Sequence, residues 1–189
     1  MTVPDTEQLQ FMQDMQAALS HTPKSISPKY FYDQAGSALF DCICDLPEYY
    51  PTRTELSILQ IHAADMARHM GEHADIIEFG AGSLQKIRYL LNVARNPARY
   101  VPMDISGAHL YACSAELQTE FVNLNILPLV ADYTNQWQLP SALSGTGKRV
   151  AFFPGLTIGN FSPEQAHVFL QNCVQHLQGG ALLLGVDLI

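Results

Sequence analysis

Two glycines and an acidic residue share a short stretch, Glu78-Phe79-Gly80-Ala81-Gly82-Ser83, where an apolar run gives way to a helical pattern. Glycine lets the backbone turn sharply and lets a ligand approach the chain closely. In open α/β sheets ligands sit beyond the carboxyl ends of the strands, so this loop suits contact with a nucleotide-like cofactor, although the same glycines also serve a tight turn that binds nothing. The next apolar run ends in Asp104, whose carboxylate can accept both hydroxyls of a ribose. A third ends in Ala131-Asp132-Tyr133, adding an acceptor for an adenine amino group and an aromatic neighbour for the base. Pyrophosphate binding uses G-x-G-x-x-G, and here Gln85 stands at the third position, which disfavours a nicotinamide-dependent oxidoreductase. Gly80, Asp104 and Asp132 describe an adenosine without pyrophosphate.

A fourth apolar run ends in Phe153-Pro154-Gly155-Leu156-Thr157-Ile158-Gly159-Asn160-Phe161. Asn160 offers amide donors and a carbonyl acceptor beside the expected reactive end of the cofactor, which suits the amino and carboxylate groups of a polar substrate. A plain connecting loop is the alternative. Tyr49 and Tyr50, read from their residue type alone, are equally packing aromatics and ligand-facing groups.

These residues need a frame. From Asp75 onward, short apolar runs alternate with helical patterns, the signature of βα units around a parallel sheet. Five strands are expected at residues 75–79, 99–103, 126–131, 149–153 and 181–188, with helices starting near Ser83, Ser106 and Ser162. Ser162-Pro163-Glu164-Gln165 is a capping box with proline at the first helical position. Before the sheet, Leu9, Met12, Met15 and Leu19 recur at helical spacing and predict a helix ending before His21. Thr52-Arg53-Thr54-Glu55 reads as a second capping box, opening a helix that buries Leu56, Leu59, Ala63, Met66 and Met70. The expectation is a helical cap over residues 1–72 and a Rossmann-like α/β domain over residues 73–189, its parallel sheet covered by helices on both faces.

Composition narrows the partners. A formal charge of −8, with no cluster of lysine and arginine, argues against nucleic acid. No apolar run reaches the roughly 20 residues of a membrane span, and the start lacks the pattern of a signal peptide, so no membrane role and a cytoplasmic location are expected. Cys42, Cys44, Cys113 and Cys173 lack metal-site or redox spacing and read as reduced and structural. His69 and His73 stand four apart without an accompanying ligand motif and read as surface residues rather than a metal pair.

Four strings together carry a resemblance: Ser27-Pro28-Lys29-Tyr30-Phe31-Tyr32-Asp33, Leu46-Pro47-Glu48-Tyr49-Tyr50-Pro51-Thr52-Arg53, Thr157-Ile158-Gly159-Asn160 and Leu184-Gly185-Val186-Asp187-Leu188. In this order the chain resembles the histidine-specific α-N-methyltransferases, a class I, S-adenosylmethionine-dependent family that includes the histidine-trimethylating enzyme of ergothioneine biosynthesis. The resemblance implies cofactor contacts at Gly80, Gly82, Lys86, Asp104, Asp132 and Tyr133, with S-adenosylhomocysteine as product. It implies that Tyr49 and Asn160 hold the amine and carboxylate of an amino-acid substrate, and that Tyr32, Phe40 and Gly155 line the same site. A relative acting on another amino acid or an indole amine shares all these motifs, and a cofactor-binding chain without turnover is a further possibility. The family commonly has Gly-Ser-Gly-Thr where this chain has Gly80-Ala81-Gly82-Ser83, and serine at Leu156.

The resemblance also implies that the family fold continues past Ile189 into the segment that grips the imidazole. On that basis the expectation is a sheet incomplete at its C-terminal side, no histidine methylation by this chain alone, and self-association through an exposed fifth strand.

Overall fold

The computed structural model describes residues 6–143 and 147–187. Its centre is a six-stranded sheet, β1 (Asp75–Phe79), β2 (Arg99–Asp104), β3 (Asn125–Ile126), β4 (Leu129–Val130), β5 (Arg149–Phe153) and β6 (Ala181–Leu184). The order is β3-β2-β1-β5-β6, β4 also pairs with β2, and every pairing is parallel. Such strands are buried on both faces, which is why they read as unbroken apolar runs.

Alternation along the strands builds two cores. Ile76, Tyr100, Val150 and Phe152 face α3 (Tyr50–Met70), α4 (Gln85–Leu91) and α5 (Gly107–Glu120) through Leu59, Ala63, Met70, Ile87, Leu90, Leu110 and Leu117. On the other face Ile77, Phe79, Val101, Met103, Ala151 and Phe153 pack against Phe169, Cys173 and Leu177 of α6 (Pro163–Leu177). Removing the Phe169 ring from this aromatic layer would cost about 3–5 kcal/mol. The single tryptophan, Trp137, is buried against Phe79 and stacks on His176 of α6 at 3.9 Å between ring centroids.

The expected third strand is two short ones. Pro128 lies at the break between β3 and β4 and has no N–H to give to β2, so the ladder is interrupted there. The last strand ends at Leu184; of the string that carried the resemblance, Leu188 lies outside the described residues.

Ahead of the sheet, α1 (Thr6–Ser20) matches the predicted helix, but Leu9, Met12 and Leu19 of its apolar stripe are exposed. A 3-10 turn, Pro28–Phe31, leads into α2 (Gln34–Cys44), a helix not among those expected from the sequence. Its Asp33 cap accepts the Gly36 N–H at 2.7 Å.

The capping box expected at Thr52 is absent. Pro51 sits in the first turn and Tyr49 caps the helix, so α3 starts earlier and Thr52 falls inside it. The buried row becomes Glu55, Leu59, Ala63, Ala67 and Met70, while Leu56 and Met66 are only half-buried. The capping box at Ser162 is formed in full, with proline at the start of α6.

Candidate functional site

The site assembles at the carboxyl ends of β1, β2, β4 and β5. After β1 the chain turns through Gly80 at φ +64 and Gly82 at φ +53, a region where a side chain is strained. The Gly82 N–H donates to Asp104 Oδ2 at 3.0 Å, and the Ser106 N–H donates to Asp104 Oδ1 at 2.9 Å. Two backbone donors thus fix the carboxylate at the end of β2 and leave each oxygen a further lone pair for a ligand hydroxyl. A Cβ on Gly80 would stand 3.6 Å from the Tyr133 ring, so the tyrosine closes directly over the glycine turn.

Tyr133 is largely enclosed by Phe79, Phe153, Phe161 and Phe169. Burial, followed by the charges of Asp104 and Asp132, pushes its hydroxyl well above the usual tyrosine range, and it stays neutral. Asp132 beside it accepts from the Thr134 N–H and the Asn135 amide, each at 2.9 Å. Lys29 reaches in from the N-terminal segment, 3.1 Å from Asp132 Oδ2 and 3.3 Å from Asp14 of α1, while Tyr30 donates its hydroxyl to Asp14.

The N-terminal segment adds an aromatic ladder over these strand ends. Tyr32 meets Phe40 edge-on at 5.6 Å between centroids, and Phe40 meets Tyr49 at 5.9 Å. Burial first, then the neighbouring Cys44 and Asp104, raises the Tyr32 hydroxyl. Tyr49 is raised by burial, Cys44, Tyr32 and Glu55, in that order. The ladder therefore lies within electrostatic reach of both Asp104 and Glu55.

Glu55, expected to close a capping box, instead contacts two of the candidate residues. Its Oε2 lies 2.7 Å from Lys86 Nζ on α4, and its Oε1 accepts the Gly155 N–H at 2.8 Å. Glu78, next to the glycine turn, is wholly buried, and its carboxyl pKa is pushed up to about 8 by desolvation, against the Tyr100 hydrogen bond and the Lys86 charge. A carboxylate on the buried row of α3, four residues before Leu59, was the available signal for Glu55. For Lys29 the signal was its place in the first string of the resemblance.

Past β5, Gly155 at φ +83 and Leu156 at φ +60 turn the chain into a short 3-10 stretch, Thr157–Asn160. Asn160 is exposed, and its amide makes no side-chain hydrogen bond among the described residues. The structure thus joins Gly80, Gly82, Asp104 and Tyr133 directly, connects Lys86 to Gly155 through Glu55, links Tyr32, Phe40 and Tyr49 in one ladder, and leaves Asn160 apart on its loop. A cavity of about 620 Å³ lies elsewhere, lined by Ser83, Gln85, Arg88, His109, Cys113 and Glu116 among others, and none of these is a candidate named above. The strand ends, where fixed polar groups converge, are the better site.

The polar groups fit an adenosyl amino-acid cofactor at Asp104, which keeps lone pairs for a ribose, at the bare glycine turn, and at Lys86, an ammonium suited to a carboxylate; Asp132 already accepts from Lys29, Thr134 and Asn135. Residues 11–189 match the family model described as histidine-specific methyltransferase, SAM-dependent. A histidine N-alpha-methyltransferase of Mycolicibacterium smegmatis is 37% identical over 180 residues, covering 93% of this chain and 55% of the relative. A 4-dimethylallyltryptophan N-methyltransferase of Claviceps purpurea is 29% identical over 181 residues, covering 89% of this chain and 53% of the relative. The chain therefore spans just over half the length of either. A solved structure ascribed to an S-adenosyl-L-methionine-dependent methyltransferase of Methanococcus maripaludis superposes with a TM-score of 0.56 at 16% identity, covering 86% of this chain and 67% of that one, which shows the shared fold.

Proposed function

Because the chain belongs to the histidine-specific, S-adenosylmethionine-dependent methyltransferase family, we propose that it binds S-adenosylmethionine and serves methyl transfer to the α-amine of histidine. The observation that carries this reading is the Asp104 carboxylate, fixed by the Gly82 and Ser106 N–H groups at the end of β2, beside a glycine turn closed by Tyr133. Residues 1–72 act as the cap and residues 73–189 as the cofactor domain.

In this reading Asp104 holds the ribose, and Asp132 takes the adenine amino group in exchange for one of its present donors, Lys29, Thr134 or Asn135. Gly80 and Gly82 give the backbone close approach, and Lys86 takes the cofactor carboxylate. The cofactor supplies an electrophilic methyl group on a sulfonium. Tyr49 and Asn160 orient the neutral substrate amine for in-line attack, and the protons of the amine leave to water or a nearby carboxylate. Tyr32, Phe40 and Gly155 shape the substrate side of the site and exclude water. Positioning supplies most of the rate, since Tyr49 stays un-ionised and provides no strong base.

The net charge of −8 supports a small-molecule rather than a nucleic-acid partner. Four unpaired cysteines suit the reducing cytoplasm. Among the described residues β6 pairs only with β5, so self-association along that edge belongs to the same proposal. An indole amino acid is the second reading for the substrate, supported by the similarity to the Claviceps purpurea protein.

Calorimetric titration with S-adenosylhomocysteine is the test. Asp104→Ala should weaken binding by about ten- to a hundredfold, the worth of a lost charge-assisted contact. Unchanged binding in that variant, or tighter binding of NAD, overturns the assignment. Adding histidine or tryptophan to the cofactor complex then separates the two substrates.

A further inference from the structure

We infer that Glu55 is a positioning residue, which holds the Lys86 ammonium and the Gly155 backbone in register so that the lysine faces the cofactor carboxylate. The inference rests on the cofactor reading above.

Glu55 lies on the row of α3 that faces the core, where a carboxylate is unfavourable unless its oxygens are satisfied. Both are: Oε2 pairs with Lys86 at 2.7 Å and Oε1 accepts from Gly155 at 2.8 Å. The pair is mostly shielded, with side-chain exposures of 22% for Lys86 and 11% for Glu55. Gly185, after β6, closes the pocket: a Cβ there would stand 2.5 Å from Glu55 Oε1. Gly185 is held in turn by its N–H to the Phe153 carbonyl at 2.9 Å. One carboxylate on α3 therefore meets α4, the turn after β5 and the turn after β6.

A contact that only joined elements together could be apolar, and apolar replacements of buried ion pairs are often as stable. What an apolar group cannot do is aim a lysine. Lys86, Glu55 and Asp104 all act electrostatically on the buried Glu78, so these charges share one neighbourhood. Glu78 keeps its proton, so without Glu55 the long Lys86 stem would be free to swing toward Asp104. Glu55 fixes it against the turn after β5, 3.3 Å from where a Gly155 Cβ would be.

A double-mutant cycle tests this, with S-adenosylhomocysteine titrated into the 189-residue chain and fold checked by circular dichroism. Glu55→Gln, which keeps an acceptor for Gly155, should weaken binding about tenfold, and Lys86→Met should do the same. In the Lys86→Met background, Glu55→Gln should add less than about a twofold loss, because the two act as one unit. Should Glu55→Gln fail to fold, Glu55→Asp enters the same cycle. Additive losses, or a Glu55→Gln variant that binds like the parent, overturn the inference and leave the cofactor reading standing. A parent chain that binds neither S-adenosylhomocysteine nor S-adenosylmethionine overturns both.

Discussion

Tyr100 donates its hydroxyl to the Glu78 carboxyl group across adjacent strands, and both side chains are sealed inside the core face under α3 and α4. A carboxyl group with no route to water is stable there only when protonated, which is why burial carries it to about 8 from 4.5.

The consequence is a pH-dependent stability of known sign. Between about 4.5 and about 8 the folded state keeps the Glu78 proton while the unfolded chain gives it up. The unfolded state therefore binds fewer protons, and this residue's contribution to stability falls as pH rises through that window, by at most about 1.4 kcal/mol per pH unit. Below the window both states hold the proton; above it neither does. Urea melts of Glu78→Gln against the parent from pH 5 to 8.5 should show a flatter profile for the variant. Parallel profiles would mean that Glu78 is ionised in the fold.

Gly185→Ala is expected to leave the fold intact and weaken cofactor binding by about fivefold. Its new methyl group would stand 2.5 Å from Glu55 Oε1 and 3.3 Å from the Pro154 Cα, so the side-chain carboxylate must leave its partners while the backbone gives by only a few tenths of an ångström. Calorimetry with S-adenosylhomocysteine, paired with a thermal melt, separates the two effects. A variant that unfolds but binds normally when folded would contradict the expectation.

Lys29→Ala should release α1 from the strand ends. Asp14, Lys29 and Asp132 form a chain of partly exposed charges, so the global cost should be below about 1 kcal/mol. Amide exchange in Thr6–Ser20 should speed up while that of β1 and β5 stays unchanged. Exchange in α1 indifferent to the substitution would show that another contact holds it.

Asn160→Ala should raise KM for the amino acid and lower kcat in the active enzyme, because a loosened amine is no longer aimed at the methyl group. Stability should move by less than about 0.5 kcal/mol, since the residue is exposed. If only cofactor affinity changed, Asn160 would lie on the wrong side of the site.

Much of the frame was legible because burial on both faces leaves continuous apolar runs: β1 and β5 fall where residues 75–79 and 149–153 predicted them. Ser162 was legible because a cap is a local device, decided within four residues. Thr52 shows the converse. The local pattern was right for a cap, yet Pro51 had already started the helix and the core claimed Glu55. Long-range pairing made that choice, as the contacts of Glu55 lie 31 and 100 residues away on Lys86 and Gly155. The break at Pro128 was readable from its missing N–H, and α2 from the short reach of Asp33 to Gly36. Lys29 could not be assigned to Asp132 by pattern, since surface lysines look alike until the fold selects one.

Trp137, stacked on His176, makes the molecule its own spectroscopic reporter. A protonated imidazole against an indole quenches its emission, whereas a neutral one leaves it bright. Burial and the neighbouring Arg149 charge hold His176 below its ordinary value of 6.5, so fluorescence should stay high through neutral pH and dim only in more acidic solution. Unfolding exposes the indole to water and shifts its emission to the red. With one tryptophan in the chain, both signals come from a single known position beneath the sheet, on the face opposite Glu78.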